Sequence, residues 1–190
     1  MVEGSVDEVA IRRVIEHFGI CAEMVHVKNG RSKIAAKVRG YYAASRVSPW
    51  LVLADLDSDC ASDLLNQWAV PASDALFLCR FATREIESWL LADREGIAAN
   101  LAVSGVLVPA DPDALIDAKE AVLNLARRSR SREVKSDMLP APNSLIGVGP
   151  GYNLRLSEFV RSRWDVIEAA QRSRSLARCL CALESFAGRI

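Results

Sequence analysis

Histidine is nearly absent from this chain, with two in 190 residues, which leaves little material for a histidine-rich metal centre or a histidine-based triad. His17 falls in an expected helix and His26 in an expected strand, and both read as structural. Cysteine is also sparse. Its five positions, Cys21, Cys60, Cys79, Cys179 and Cys181, are odd in number and nowhere spaced CxxC, so they read as reduced core residues rather than disulfides or a zinc site. No apolar stretch is long enough to cross a bilayer, and Met1-Val2-Glu3-Gly4 is neither a basic nor an apolar leader. The expectation is a soluble, cytoplasmic protein without a membrane partner. Nucleotide loops are missing too. No P-loop pattern occurs, and the Gly147-Val148-Gly149-Pro150-Gly151-Tyr152 stretch follows no apolar strand, which argues against intrinsic ATPase or NAD-dependent chemistry.

Net charge is also absent, but the zero total conceals an asymmetry. Residues 1–126 carry 12 basic and 18 acidic side chains, and residues 127–190 carry 12 basic and 6 acidic ones. An acidic part beside a basic part suits a protein that binds metal with one surface and polyphosphate with the other; exposed helices that merely differ in charge would give the same count. The length and the apolar fraction support one domain with a sizeable core.

The element pattern is α/β. Apolar spacing predicts a helix over Val6–Phe18 with Ser5 as its cap, a strand over Ile20–Val27, and a helix over Ser32–Ala43 after the Asn29-Gly30 turn. A central strand over Trp50–Ala54, a helix over Cys60–Trp68, a strand over Ala75–Cys79 and a helix over Arg84–Leu101, broken near Gly96, follow. That alternation predicts a mostly parallel sheet flanked by helices. Beyond Pro109 only helices are expected: Asp113–Arg128, Leu154–Ala170 and Ser175–Phe186. The division is thus a core over residues 1–110 and a helical, basic C-terminal extension over 111–190, packed on it. Between the last helices lies an irregular basic connection, Arg127-Arg128-Ser129-Arg130-Ser131-Arg132 and Lys135, which reads either as a phosphate contact or as a solvated segment.

Carboxylates gather at strand ends. Asp55 and Asp57 close the apolar run Trp50-Leu51-Val52-Leu53-Ala54, at the edge where open α/β sheets hold ligands and where hard divalent cations find oxygen donors. Glu3, with Asp7 one turn further on, and the pair Glu85 and Glu87 lie at equivalent edges. The competing explanation is local: solvated loop acids, Asp59 capping the next helix, and acids at helix starts favoured by the dipole.

The segments Val2-Glu3-Gly4-Ser5-Val6-Asp7-Glu8, Ala54-Asp55-Leu56-Asp57 and Glu87-Ser88-Trp89-Leu90-Leu91, in this order, resemble a bacterial Toprim-like family of unknown function related to the overcoming-lysogenization-defect nucleases. Asp117-Ala118-Lys119-Glu120, Gly149-Pro150-Gly151-Tyr152-Asn153, Trp164 and Ser173-Arg174-Ser175-Leu176-Ala177-Arg178 extend the resemblance over nearly the whole chain. It implies a Toprim core in which a glutamate after the first strand and an Asp-x-Asp pair after a later strand hold magnesium or manganese. Glu3 matches the glutamate, Asp55 and Asp57 the pair, Asp7 the second acid of the nucleases, and Glu87 the acid of the Glu-x-Trp-Leu-Leu motif. Lys119 takes the place of a transition-state lysine or is a solvated helix residue. Only Met1 and Val2 precede Glu3, so either the first strand is unusually short or the natural N-terminus lies upstream.

The function expected from this resemblance is metal-dependent phosphodiester hydrolysis of DNA or RNA, in a phage-defence setting with an ATPase partner. Glu3, Asp55 and Asp57 are the primary ligands, with Asp7 and Glu87 assisting; Arg127 onward, Arg174 and Arg178 bind the flanking phosphates. The alternative is a non-catalytic subunit that binds nucleic acid or an ATPase through the same surface. A homo-oligomer is open in both.

Overall fold

A computed structural model describes residues 1–190. Helix α1 (Ser5–Glu16) forms where the spacing predicts one, because Val6, Ala10, Ile11, Val14 and Ile15 make one buried stripe. Its cap is not Ser5. Gly4 starts the helix without a side-chain bond, and the first-turn acids Asp7 and Glu8 favour the dipole instead. The helix expected over 32–43 is two short ones, α2 (Arg31–Ala35) and α3 (Val38–Ala44), each pinned by one buried residue, Ile34 and Val38. Strand β1 (Trp50–Asp55), helix α4 (Ala61–Trp68), the two-residue β2 (Ser73–Asp74) and β3 (Phe77–Ala82) follow.

The sheet is small and mixed. β1 runs parallel to β3, with Trp50 opposite Phe77 and Asp55 opposite Ala82, and β2 pairs antiparallel on the far edge. The strand expected over Ile20–Val27 shrinks to a single parallel bridge between Val27 and Val2. Cys21, Glu23 and Met24 in that segment are exposed and none of its residues is fully buried, so it lacks an anchor for a longer ladder. Met1 and Val2 serve as a rudimentary strand. The Met1 amine donates to the Leu51 carbonyl at 2.7 Å and Leu53 N–H to the Met1 carbonyl at 3.0 Å. On the other side, Val2 N–H donates to His26 and Lys28 N–H to Val2, each at 3.0 Å. Segment 26–28, segment 1–3, β1 and β3 therefore lie side by side and parallel.

Past β3 the chain is helical. The helix expected over 84–101 divides into α5 (Glu87–Ala92) and α6 (Arg94–Asn100), and the break falls at Asp93 rather than Gly96. Buried Asp93 accepts from Gly96 N–H and from Asp165 N–H, each at 2.9 Å, so a capping bond sets the break. Asp117 likewise starts α7 (Ala118–Arg127) later than predicted. The expected irregular basic connection contains a helix, α8 (Arg132–Met138), capped by Ser131; the serines among the arginines satisfy backbone there. The helix expected over 154–170 is split by Arg163–Asp165 into α9 (Tyr152–Ser162) and α10 (Val166–Ala170), and α11 (Arg174–Ala187) ends the fold.

Strand alternation sorts the interior. Val52, Ala54, Phe77 and Cys79 pack with Ile34, Val38, Trp68 and Val70 of the α2–α4 side. Leu53, Leu78 and Ala82 point the other way into a larger core shared by α1 and α5–α11. The cysteines divide as well. Cys79 and Cys179 are buried, and burial pushes both thiols up to about 12, whereas Cys21, Cys60 and Cys181 are exposed, against the expectation of core positions. All five are free. No helix is long and apolar enough to cross a membrane.

Candidate functional site

Five carboxylates from five elements or their ends meet at the carboxyl end of β1. Asp55 is the last residue of the strand, Glu3 ends segment 1–3 beside it, Asp7 lies in the first turn of α1, Glu85 follows β3, and Glu87 opens α5. The backbone couples the first two. In a continuing ladder Asp55 N–H would reach the Glu3 carbonyl, but that carbonyl accepts from Asn29 N–H at 2.7 Å, and the Glu3 carboxylate accepts from Asp55 at 3.0 Å instead. Gly4 leaves room for the Asp7 carboxylate, whose Oδ2 would lie 3.0 Å from a Cβ at that position.

The acids repel one another out of water. Burial, then Asp7, Glu3, Glu87 and Glu85, raise Asp55 to about 9. Burial and then Glu3 raise Asp7 to about 6, against backbone N–H bonds and the Lys119 ammonium. Glu3 and Glu87 are likewise raised, with burial the largest cause in each. Two oxygens are left over: Oδ1 of Asp7 and Oδ1 of Asp55 are buried and bonded to nothing.

Lys119, in the first turn of α7, answers the charge. Its Nζ lies 3.2 Å from Glu85 and 3.8 Å from Glu87, and its N–H donates to Glu85 at 2.9 Å. Burial opposes its charge, but Glu87 and Glu85 more than offset that and hold Lys119 above the ordinary lysine value. Tyr152, the first residue of α9, donates its hydroxyl to Glu87 at 3.0 Å, and burial and Glu87 push its own titration far up. The sequence motif Gly-Pro-Gly-Tyr contained this residue, but a lone aromatic carries no chemical signature, so its role was not legible.

The expected Asp-x-Asp pair is split. Asp57 has a left-handed backbone, φ 49°, and turns outward. Arg31 binds it at 3.1 Å and Asp59 at 2.7 Å, while also donating to the Leu56 carbonyl. Arg31 thus latches the β1–α4 loop to α2; nothing in its local sequence pattern announced that. Asp59 does not cap α4, which starts at Cys60 without a side-chain bond. Glu3, Asp7, Asp55, Glu87 and Lys119 are brought together; Asp57, exposed and paired with Arg31, stands at the margin, where its charge still helps to raise Glu3.

The donor set is all hard oxygen, which suits magnesium or manganese. As the side chains stand, no three His, Cys, Asp or Glu close tightly enough to hold an ion. The spare oxygens of Asp7 and Asp55 are nevertheless what a cation would satisfy, because a buried carboxylate oxygen without a partner is costly. Of the arginines expected to bind phosphate, Arg127 is tied to Glu120 and Asn124, whereas Arg128, Arg130, Arg132, Arg174 and Arg178 are exposed. No family model, no curated protein and no solved structure matches the chain.

Proposed function

We propose that this chain is a divalent-metal-dependent phosphodiester hydrolase of DNA or RNA built on a Toprim-like core. The observation that carries the reading is the pair of unbonded, buried oxygens on Asp7 and Asp55 at the end of β1. Magnesium or manganese, when bound, supplies Lewis-acid polarisation of the phosphodiester and neutralises its charge. Asp55, Asp7 and Glu3 would hold it. The parallel run of segment 1–3 beside β1 supports the Toprim-like assignment, since it sets a glutamate and an aspartate at adjoining strand ends. Lys119 keeps a fixed positive charge beside the site, and Tyr152 holds Glu87 in place. In the metal-free chain Asp7 is raised to about 6, chiefly by burial and Glu3, and binding of the ion would displace that proton. A cytoplasmic phage-defence role with an ATPase partner belongs to the same reading.

One observation favours a second reading. Arg31 occupies Asp57, leaving the Asp-x-Asp pair without its second ligand, as suits a non-catalytic nucleic-acid-binding or ATPase-partner subunit. Metal-induced stabilisation separates the two. A functional site gains about 2.7 kcal/mol from manganese at a hundredfold excess over its dissociation constant, and Asp55→Asn removes both that gain and cleavage of labelled DNA or RNA while keeping its circular dichroism. No stabilisation of the parent chain supports the subunit reading; undiminished cleavage by Asp55→Asn sinks the hydrolase.

A further inference from the structure

Residues 24–54 contain no acidic side chain and six basic ones, Lys28, Arg31, Lys33, Lys37, Arg39 and Arg46. The rest of residues 1–126 holds six basic against 18 acidic side chains, so the positive charge of the acidic half is concentrated on one segment. Only Arg31 of the six has a carboxylate partner. Lys33, Lys37, Arg39 and Arg46 are exposed on and around α2 and α3.

Beside one of the six, Lys28, lies an aromatic cluster. Tyr41 and Trp50 have ring centroids 4.5 Å apart, and His26 stands 5.4 Å from Tyr41 and 5.7 Å from Trp50. The Lys28 ammonium sits 5.2 Å over the Tyr41 ring. Burial and Lys28 hold His26 below the ordinary histidine value, so it presents a neutral ring. All four residues are half-buried, in contrast to Trp68, Trp89 and Trp164, which lie in the interior. The segment also touches the carboxylate site, since Asn29 N–H bonds the Glu3 carbonyl at 2.7 Å.

We propose that this face is a track for a single strand of nucleic acid, with phosphates on the Lys28, Lys33, Lys37 and Arg39 side and bases stacked on Tyr41 and Trp50. Cations follow the phosphodiester backbone, and aromatic faces take any unpaired base. A duplex keeps its bases inside its own stack and offers the rings nothing. The track rests on the nucleic-acid reading above and names the form of substrate and the surface that receives it.

The test is metal-free, in chelator, so that it reads binding without cleavage. Fluorescence anisotropy compares labelled oligothymidine and oligouridine of about 20 nucleotides with a duplex of the same length and with polyglutamate. A single strand is expected to bind at least about tenfold more tightly than the duplex and to quench Trp50 emission. Lys33→Gln combined with Lys37→Gln is expected to weaken binding about tenfold and to lower the salt slope by about 1.4, the value for two phosphate contacts on a single strand. Trp50→Phe retains binding and loses the quench. Preference between the thymidine and uridine strands tells DNA from RNA. Equal binding of duplex, tighter binding of polyglutamate, or a double variant that binds like the parent while Arg130→Gln with Arg132→Gln does not, overturns the track. Strand binding by a chain that manganese does not stabilise sinks the hydrolase and leaves the track standing; metal-dependent cleavage with an unimportant α2–α3 face does the reverse.

Discussion

Asp55 couples the site to stability. Its carboxyl is raised from 3.8 to about 9 by burial and by four neighbouring acids, and its Oδ1 has no partner. Between those two values the folded chain holds a proton that the unfolded chain has released, so stability falls as pH rises across that interval. Asp7 adds a smaller interval of the same sign, up to about 6. Asparagine at position 55 removes the titration. Metal-free Asp55→Asn is therefore expected to be more stable than the parent at pH 8, by on the order of 1–3 kcal/mol, and so to unfold at higher temperature, with the difference shrinking toward pH 4. Thermal melts across that range check it, and a gap that grows on acidification contradicts the burial of this charge. Saturating manganese reverses the ranking, because only the parent retains both spare oxygens.

At the scale of elements, capping side chains decided what periodicity left open. Helix α1 and strand β1 were legible because each buries a regular run, Val6 to Ile15 at helical spacing and Val52 to Ala54 without interruption. The division of α5 from α6 was not, since Asp93 sits inside an apolar pattern that runs through it; its carboxylate caps α6 through Gly96 N–H and is held in place by Asp165 N–H, 72 residues away. The outward turn of Asp57 escaped for the same reason: Arg31 is remote in sequence. The gathering of Glu3, Asp55 and Glu87 was readable, because each follows a strand. Two glycine substitutions separate capping from plain helix propensity. A Cβ on Gly96 would collide with the Asp93 carboxylate, whereas one on Gly40 in α3 meets nothing within 4 Å. Gly96→Ala should cost about 1–2 kcal/mol through the lost cap, and Gly40→Ala should gain about 0.5–1 kcal/mol. Denaturant melts giving both substitutions the same sign would remove the capping bond as the cause of the break.

Over the whole molecule, the C-terminal helices complete the core rather than decorate it. One apolar cluster runs from Val2 through Leu53 and Trp89 to Phe159, Leu176 and Phe186. Tyr152 of α9 and Lys119 of α7 reach back to Glu87, so the extension also supplies two sides of the carboxylate site. Arg172 donates to the carbonyls of Ala92, Pro109 and Ala110, tying α10–α11 to the end of α5 and to the loop before α7. A division near residue 110 would strip cover from Leu90, Leu91, Ile97 and Leu101, all fully buried in the intact chain. Exposing four such side chains forfeits about 1.5–3 kcal/mol each, comparable to the 5–15 kcal/mol by which whole domains are stable. Residues 1–110 expressed alone are therefore expected to lack a cooperative melt and to bind a hydrophobic dye, while the full chain does neither. A sharp transition and dispersed amide resonances from that fragment would mean that the strand end and its acids hold their arrangement without the helices, and that Lys119 and Tyr152 were added to a site already formed.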